Sequence, residues 1–431
     1  MIQALPQAGS FARRCSDAAL FAIFIWVSLP EIWTRAFMVG PVPLHFVFTQ
    51  VWWVTLLAER CYRQTVSSKY FWLLITAITY SSACAVWESG NNNWDLKYFV
   101  SDLWTMQVFV LGMLWARRRT LLQLAAFFRL LSGVLVPLAI GTAAGVYLGF
   151  IRPAGIEYSD RLYTSSLWNI ACVAQFIWPI VGSVRAYSKR IGAGKRGIRH
   201  AYLRNCARLM IPVALFIAIF TATRSLLLIS ALVFGFLWLM ERKRTSQQIL
   251  IGTMALLLFL TAGLTLASVI RVKGYSVLDR FAQAELASEG RLIELRWMFE
   301  QLGDDFLSGW GFGSLFYSTI RYQGRLFETA PHIGIATSLL KGGIFLAIVF
   351  VVIPVVKCAI GLMKRTPAAI AAAGCVLVYV VTASLSGGWY PFQTLMFGVG
   401  LGISYLRHRP VPMETAMVPS EPVVSVVGEV R

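Results

Sequence analysis

Charge is scarce in this sequence. Asp, Glu, Lys and Arg make up 14% of its 431 residues, and 57% are hydrophobic. Soluble chains average about 25% charged and about 45–50% apolar residues. That shortage excludes a soluble globular protein, a disordered one and a collagen-like one. Acids are scarcer still, 20 against 39 Lys and Arg, for a net charge of +19. The basic residues sit between long apolar blocks and not on one face of a soluble domain, so no nucleic-acid partner is expected. In a membrane protein such residues report topology.

Other absences narrow the chemistry. The seven cysteines (Cys15, Cys61, Cys84, Cys172, Cys206, Cys358, Cys375) form no CxxC and fall in expected spans or basic loops, so no disulfide framework is expected. Neither HExxH nor GxSxG occurs. Gly192 to Gly197 has the look of a phosphate loop without its GxxxxGK[ST] spacing. Asp304 and Asp305 are adjacent, and adjacent side chains diverge, with no third ligand in view. No metal and no cofactor is expected.

What the sequence has in abundance is apolar blocks. A helix needs about 20 apolar residues to cross about 30 Å of hydrocarbon. Twelve such blocks lie near 18–34, 40–58, 69–87, 98–116, 128–150, 165–185, 208–223, 225–240, 249–270, 333–356, 368–386 and 391–406. The seventh and eighth read as a helical hairpin with a tight turn at Arg224. The expected fold is all-α: a polytopic membrane protein with transmembrane helices 1–9 over 1–270, a capping loop over 271–332, helices 10–12 over 333–408, and a disordered Pro-containing tail over 409–431. Arg13 and Arg14 before a long first block read as an uncleaved anchor and not as a signal peptide. Basic loops alternate strictly along the chain. Placing them in the cytoplasm puts 26 of the 39 Lys and Arg on that side with only six acids, so both termini are expected there.

The loop from Arg271 to His332 departs from the pattern of short external connections. Ala284 to Leu302 reads as an amphipathic helix, with Leu286, Ile293, Trp297, Phe299 and Leu302 at near-helical spacing. Gly309-Trp310-Gly311-Phe312-Gly313 then forms a glycine–aromatic turn. A long ordered loop of this kind is more often functional than filler.

Candidate residues gather on this external side, each with a plainer reading beside it. Arg224, between two apolar blocks, is an anion ligand or a snorkelling turn residue. Arg291 and Arg296 lie on the loop helix, where guanidinium forks bind phosphate oxygens, or pair with Glu294 or Glu300. For Arg296 the ion pair is the better reading, and for Arg291 the functional one. His332, at the end of the loop, is a candidate general base or an interfacial histidine without a role. Arg161 adds a phosphate contact or bridges to Glu157 or Asp160. Gly309, Gly311 and Gly313 offer backbone N–H groups to an anion, as a nest does, or bend a packed loop.

Taken in order, Ser288-Glu289-Gly290-Arg291, Trp297, Gly309-Trp310-Gly311-Phe312-Gly313, His332 and Lys341-Gly342-Gly343 resemble the signature of the bacterial O-antigen ligase and O-antigen polymerase superfamily. Thr221 to Leu228 resembles that family's Ser/Thr-x-Ser/Thr-Arg segment, and Arg161 through Asn169 loosely resembles its earlier arginine segment. There are departures: Ile333 follows the histidine where asparagine is common, Ser308 stands in place of a proline, and the Arg161 segment lacks a glycine.

The resemblance implies a metal-independent, inverting glycosyltransferase of the bacterial inner membrane. Its donor would be a glycan on undecaprenyl diphosphate, and its acceptor a lipid A–core sugar or another lipid-linked glycan, with membrane lipid around both. The catalytic set it implies is Arg224, Arg291 and His332, with Arg161, Gly311 and Gly313 binding substrate. Ligase is favoured over polymerase, and a protein-directed transferase is a third choice. The alternative of another class is a twelve-span secondary transporter, which usually shows internal repeats; none is evident between the halves of this chain.

Overall fold

The computed structural model of the chain describes residues 5–29, 38–39, 42–59, 68–90, 93–151, 164–188, 198–221, 223–240, 284–322, 325–328, 333–385 and 390–406. The elements are α1 (Leu5–Ser28), β1 (Met38–Val39), β2 (Val42–Pro43), α2 (Leu44–Ala58), α3 (Lys69–Glu88), α4 (Leu96–Arg117), α5 (Leu121–Tyr147), α6 (Ser165–Ser188), α7 (Ile198–Phe220) and α8 (Arg224–Met240). After a gap come α9 (Ala284–Leu302), a 3-10 turn (Gly303–Phe306), β3 (Phe316–Tyr322), β4 (Arg325–Glu328), α10 (Ile335–Ala347), a π-helical stretch (Ile348–Val352), α11 (Ile353–Leu362), α12 (Pro367–Leu385) and α13 (Pro391–Ser404).

Six of these are long and apolar enough to cross a membrane: α3, α4, α5, α6 through Ser183, the continuous run from α10 to α11, and α12. Helix α2 and stretches of α7 and α8 are apolar but shorter. The protein is therefore a helical, polytopic membrane protein. The expected block at 249–270 and the tail from 409 lie outside the described residues.

Most apolar blocks overlap a described helix, although α1 and α7 begin 13 and 10 residues before theirs, and two other departures have local causes. The second block does not begin as a helix at residue 40. Met38 and Val39 pair antiparallel with Pro43 and Val42, and α2 starts only at Leu44. Pro43 stands just before the helix, and proline lacks the N–H a helix interior uses. Helix α5 starts seven residues before its apolar block because Thr120 caps it: the Thr120 hydroxyl accepts from Gln123 N at 3.3 Å, and the Gln123 side chain accepts from Thr120 N at 2.9 Å. The all-α expectation also missed two small hairpins, β1–β2 and β3–β4.

Close packing in the centre rests on small residues. Helices α4 and α13 approach so nearly that a Cβ on Gly112 would sit 2.5 Å from Leu395 O, and one on Gly402 would sit 2.6 Å from Met113 O. Gly398, one turn before Gly402, lies against Phe109 O. Apolar helices gain no hydrophobic drive from each other in lipid, so backbone proximity through small residues does the packing. Beside this seam Phe109, Phe350, Tyr379 and Phe397 form one aromatic cluster, with Tyr379 stacked on Phe397 at 4.1 Å.

One end of the bundle is fastened by charge. Arg119, just beyond α4, gives two hydrogen bonds to Asp17 of α1, at 3.0 and 2.8 Å, and two to Glu59 after α2, at 2.7 and 3.0 Å. The Trp115 indole adds a 2.8 Å bond to Asp17. Burial disfavours the charged guanidinium, but the bonds to Glu59 and the charges of Asp17 and Glu59 more than offset this and raise its pKa. Arg13 donates to Gln123 at the same end. The loop described next sits at the opposite end.

Candidate functional site

Helix α9 carries the first candidate. Its bounds, Ala284–Leu302, are those the sequence indicates, but its buried face is different. Glu294, Met298 and Leu302 are buried and Arg291 is half-buried on the same stripe, whereas Leu292, Ile293 and Phe299 are exposed. Apolar residues occur on more than one side of this helix, so spacing alone does not select the inner face. An outer apolar face also carries little penalty at the boundary of a bilayer. Arg296 points outward and pairs with Glu300 at 2.7 Å. Arg291 is thus the loop-helix arginine that faces the protein. Glu294, one turn along, has its carboxylate on that same inner face.

After α9 the chain turns down into the bundle. Asp305 organises the bend: its carbonyl accepts from Ser308 N and Gly309 N, and its carboxylate accepts from the Trp310 indole at 3.1 Å. Residues 309–314 then insert among α3, α4 and α10. Trp310 N donates to Leu340 O at 2.8 Å, Phe312 N to Ser81 O at 3.2 Å, and Leu315 N to Asn93 O at 2.7 Å. The Trp94 indole donates to Phe312 O at 2.8 Å. These partners take up backbone groups of the turn that no helix satisfies, as a buried non-helical segment requires.

The three glycines make this insertion possible. Gly309, Gly311 and Gly313 all have positive φ, at 70°, 88° and 83°. Gly311 lies against the backbone of Cys84 and Ala85 in α3, and Gly313 has Asp95 O and the Trp94 indole within 2.9 Å of where a Cβ would be. The Gly313 N–H donates to the Asp102 carboxylate at 2.8 Å. The anion that meets this N–H is therefore one of the protein's own side chains.

Helix α10 is broken to receive the turn. Gly342 (φ −161°, ψ 23°) and Gly343 (φ 61°, ψ −162°) leave the helical region. Gly343 lies against Leu307 O and Ser308, and Gly309 against Gly343 N. At the break, Lys341 is completely buried. Its ammonium donates to Ser314 O at 2.7 Å and pairs with Asp102 Oδ2 at 3.0 Å.

Of the sequence-derived candidates, Gly311 and Gly313 fall in this assembly, and Arg291 lies on the inner face of α9, eleven residues before the end of that helix. Arg224 is the first residue of α8, after a turn in which the Thr221 and Thr223 hydroxyls meet at 2.7 Å; its side chain is outside the described residues. Arg161 and His332 also lie outside them. Sequence reasoning passed over Asp102 and named Lys341 only as part of the family signature. The available signal was a charge inside an apolar block, which in a membrane protein marks a site until shown otherwise. No protein-family model matches the chain, and no curated protein matches it.

Proposed function

We propose that this protein is a glycosyltransferase of the bacterial inner membrane. It moves a glycan from undecaprenyl diphosphate to an acceptor hydroxyl on the periplasmic side, as an O-antigen ligase that uses lipid A–core. In this reading the chain has twelve spans, with both termini and the Arg119 end in the cytoplasm and the α9 loop in the periplasm. The observation that carries it is the inward placement of Arg291 on a loop helix that caps the bundle, continuous with a turn sunk between spans. The superfamily resemblance of the motifs along that loop supplies the chemistry.

The chemistry follows from charge. A departing lipid diphosphate gains negative charge in the transition state, and fixed guanidinium groups oppose it without a metal. Arg291 and Arg224 serve there, with Arg161 as a further contact. His332 activates or holds the acceptor hydroxyl. Gly311 and Gly313 let the turn approach closely enough to floor the site. The α9 cap excludes water, which would hydrolyse the donor, and the exposed apolar helix faces hold the polyprenyl chain.

Two readings compete. A polymerase differs only in taking a second lipid-linked glycan as acceptor. A secondary transporter draws on the broken helix α10 with its buried charge pair, a feature transporters place at their binding sites. The deciding experiment is a surface-glycan gel from a deletion strain complemented with Arg291→Ala, Arg224→Ala or His332→Ala. Loss of the ladder in all three, with normal membrane levels, is the expected result. Near-normal ladders from all three would refute the transferase assignment.

A further inference from the structure

The Lys341–Asp102 pair has no part in the chemistry just described, yet both of its charged groups are buried on the loop side. Removing an ion from water is costly even after relaxation, and Lys341 is fully buried. Its depth follows from helix rise. Asp102 is six residues inside α4 and Lys341 six residues inside α10, which places both about 9 Å below the helix ends at 1.5 Å per residue. An ion pair kept at that depth is weak evidence for stability, since apolar replacements of such pairs are often neutral or stabilising. Its bonding shows what else it does. Lys341 donates to Ser314 O, and Asp102 accepts from Gly313 N. Each partner therefore holds the other and one of two successive residues of the turn.

Three segments meet at this point. Asp102 belongs to α4, the core helix packed on α13 through Gly112. Residues 313 and 314 belong to the turn, eleven residues beyond the end of α9. Lys341 belongs to α10, which begins three residues after His332 in the chain. The pair thus joins the segment leading from Arg291 and the segment leading from His332 to one rigid helix. The Gly342–Gly343 break lies immediately after Lys341, where helix α10 yields to the turn.

We infer that Lys341 and Asp102 are positioning residues: a buried ion pair that pins the sunken glycine turn to α4 and so sets where the α9 cap sits over the site. The effect on transfer rests on the proposed transferase reading; the pinning of the turn does not. A pair that served only stability would be replaceable by apolar side chains of similar size without consequence. A pair that positions the turn would not be, because the replacements offer nothing to Gly313 N or Ser314 O.

The test is the double variant Lys341→Met/Asp102→Leu beside Lys341→Met alone, in the full-length protein purified in detergent. The single variant strands a buried carboxylate and is prone to misfold, so the double variant carries the argument. Two quantities are measured: amide hydrogen exchange over residues 307–315 and over α9, and the kcat and KM of glycan transfer. The expected result is a folded double variant whose melting temperature falls only modestly, through the lost partners of Gly313 N and Ser314 O. Exchange over 307–315 rises at least tenfold, because the protected amides of Trp310, Phe312, Gly313 and Leu315 open together. Transfer falls at least tenfold, mainly in kcat. Unchanged exchange over 307–315 would overturn the pinning role whatever the protein's activity. Faster exchange with wild-type transfer would overturn the positioning of the site. A wild-type protein without transferase activity would refute the function proposed above, and the exchange measurement would still decide the role of the pair.

Discussion

Gly309 and Gly343 meet backbone against backbone, thirty-four residues apart in the chain, where the loop turn enters the break in helix α10. Neither has room for a Cβ. One on Gly309 would also lie 2.7 Å from Gly342 N and 2.9 Å from Leu339 O, and both glycines have positive φ, 70° and 61°. Clash and backbone strain therefore act together. Gly309→Ala and Gly343→Ala are each expected to cost at least about 2 kcal/mol, since overpacking alone costs about 1–3 kcal/mol and a strained backbone a similar amount. Gly361, with open space where its Cβ would be, is the control, and Gly361→Ala should be neutral or slightly stabilising. Thermal unfolding of the detergent-solubilised variants checks this. Equal melting temperatures for all three would show that the turn is not docked as described.

The inner-face placement of Arg291 and the outer-face placement of Arg296 yield a matched pair of predictions. Arg296→Ala removes an exposed ion pair with Glu300; such pairs stabilise a helix by about 0.3–0.5 kcal/mol, and transfer should remain at the wild-type level. Arg291→Ala should abolish it, and Arg291→Lys should restore little, because a lysine offers a point charge in place of a two-pronged fork. Quantifying the surface-glycan ladder against protein level in the membrane distinguishes the two. A severe defect for Arg296→Ala with a mild one for Arg291→Ala would reverse the assignment of faces on α9.

How far these features could be read in advance depended on which force shaped them. The six helices long enough to cross a membrane coincide with apolar runs, because the bilayer imposes length and composition on each segment independently. Helix α9 was legible in its limits for a similar local reason, but its buried face was not. Ile293 and Phe299 point outward and Glu294 inward, an arrangement decided by what α9 packs on. Gly309, Gly311 and Gly313 stood out as a motif, while their purpose, close approach to α3, α4 and α10, needs the partners in view. Lys341 and Asp102 illustrate the limit most clearly. Each is a lone charge in an apolar run, 239 residues from the other, and only tertiary structure shows that they neutralise each other.

Arg119 supports a prediction independent of function. Its guanidinium holds two carboxylates from two other helical segments, and its side chain is almost wholly buried, as is that of Glu59. Removing one partner of a buried pair strands the other charges, at a cost of about 3–5 kcal/mol. Arg119→Ala should therefore lower the melting temperature sharply and reduce the amount of protein in the membrane. Arg119→Lys should recover only part of the loss, since one ammonium cannot reproduce four hydrogen bonds to two acids. A melting temperature within a degree of wild type for Arg119→Ala would show that α1, α2 and α4 are not joined through this residue.

The proposed chemistry carries its own test in the treatment of metal ions. Arg224, Arg291 and Arg161 are assigned the negative charge that develops on the departing diphosphate, a role that divalent cations fill in many phosphate-transferring enzymes. If the guanidinium groups suffice, purified protein given lipid-linked donor and acceptor should transfer glycan at an undiminished rate in excess EDTA, and added magnesium or manganese should leave the rate unchanged. Arginine is suited to this because it stays charged at any working pH and binds phosphate oxygens in pairs. The companion expectation concerns salt. If those contacts form beneath the α9 cap, transfer should weaken only modestly between low and physiological ionic strength, where exposed charge pairs are already heavily screened. Loss of transfer in EDTA, restored by a single divalent cation, would move the stabilising charge from the arginines to a metal and require a different account of the site.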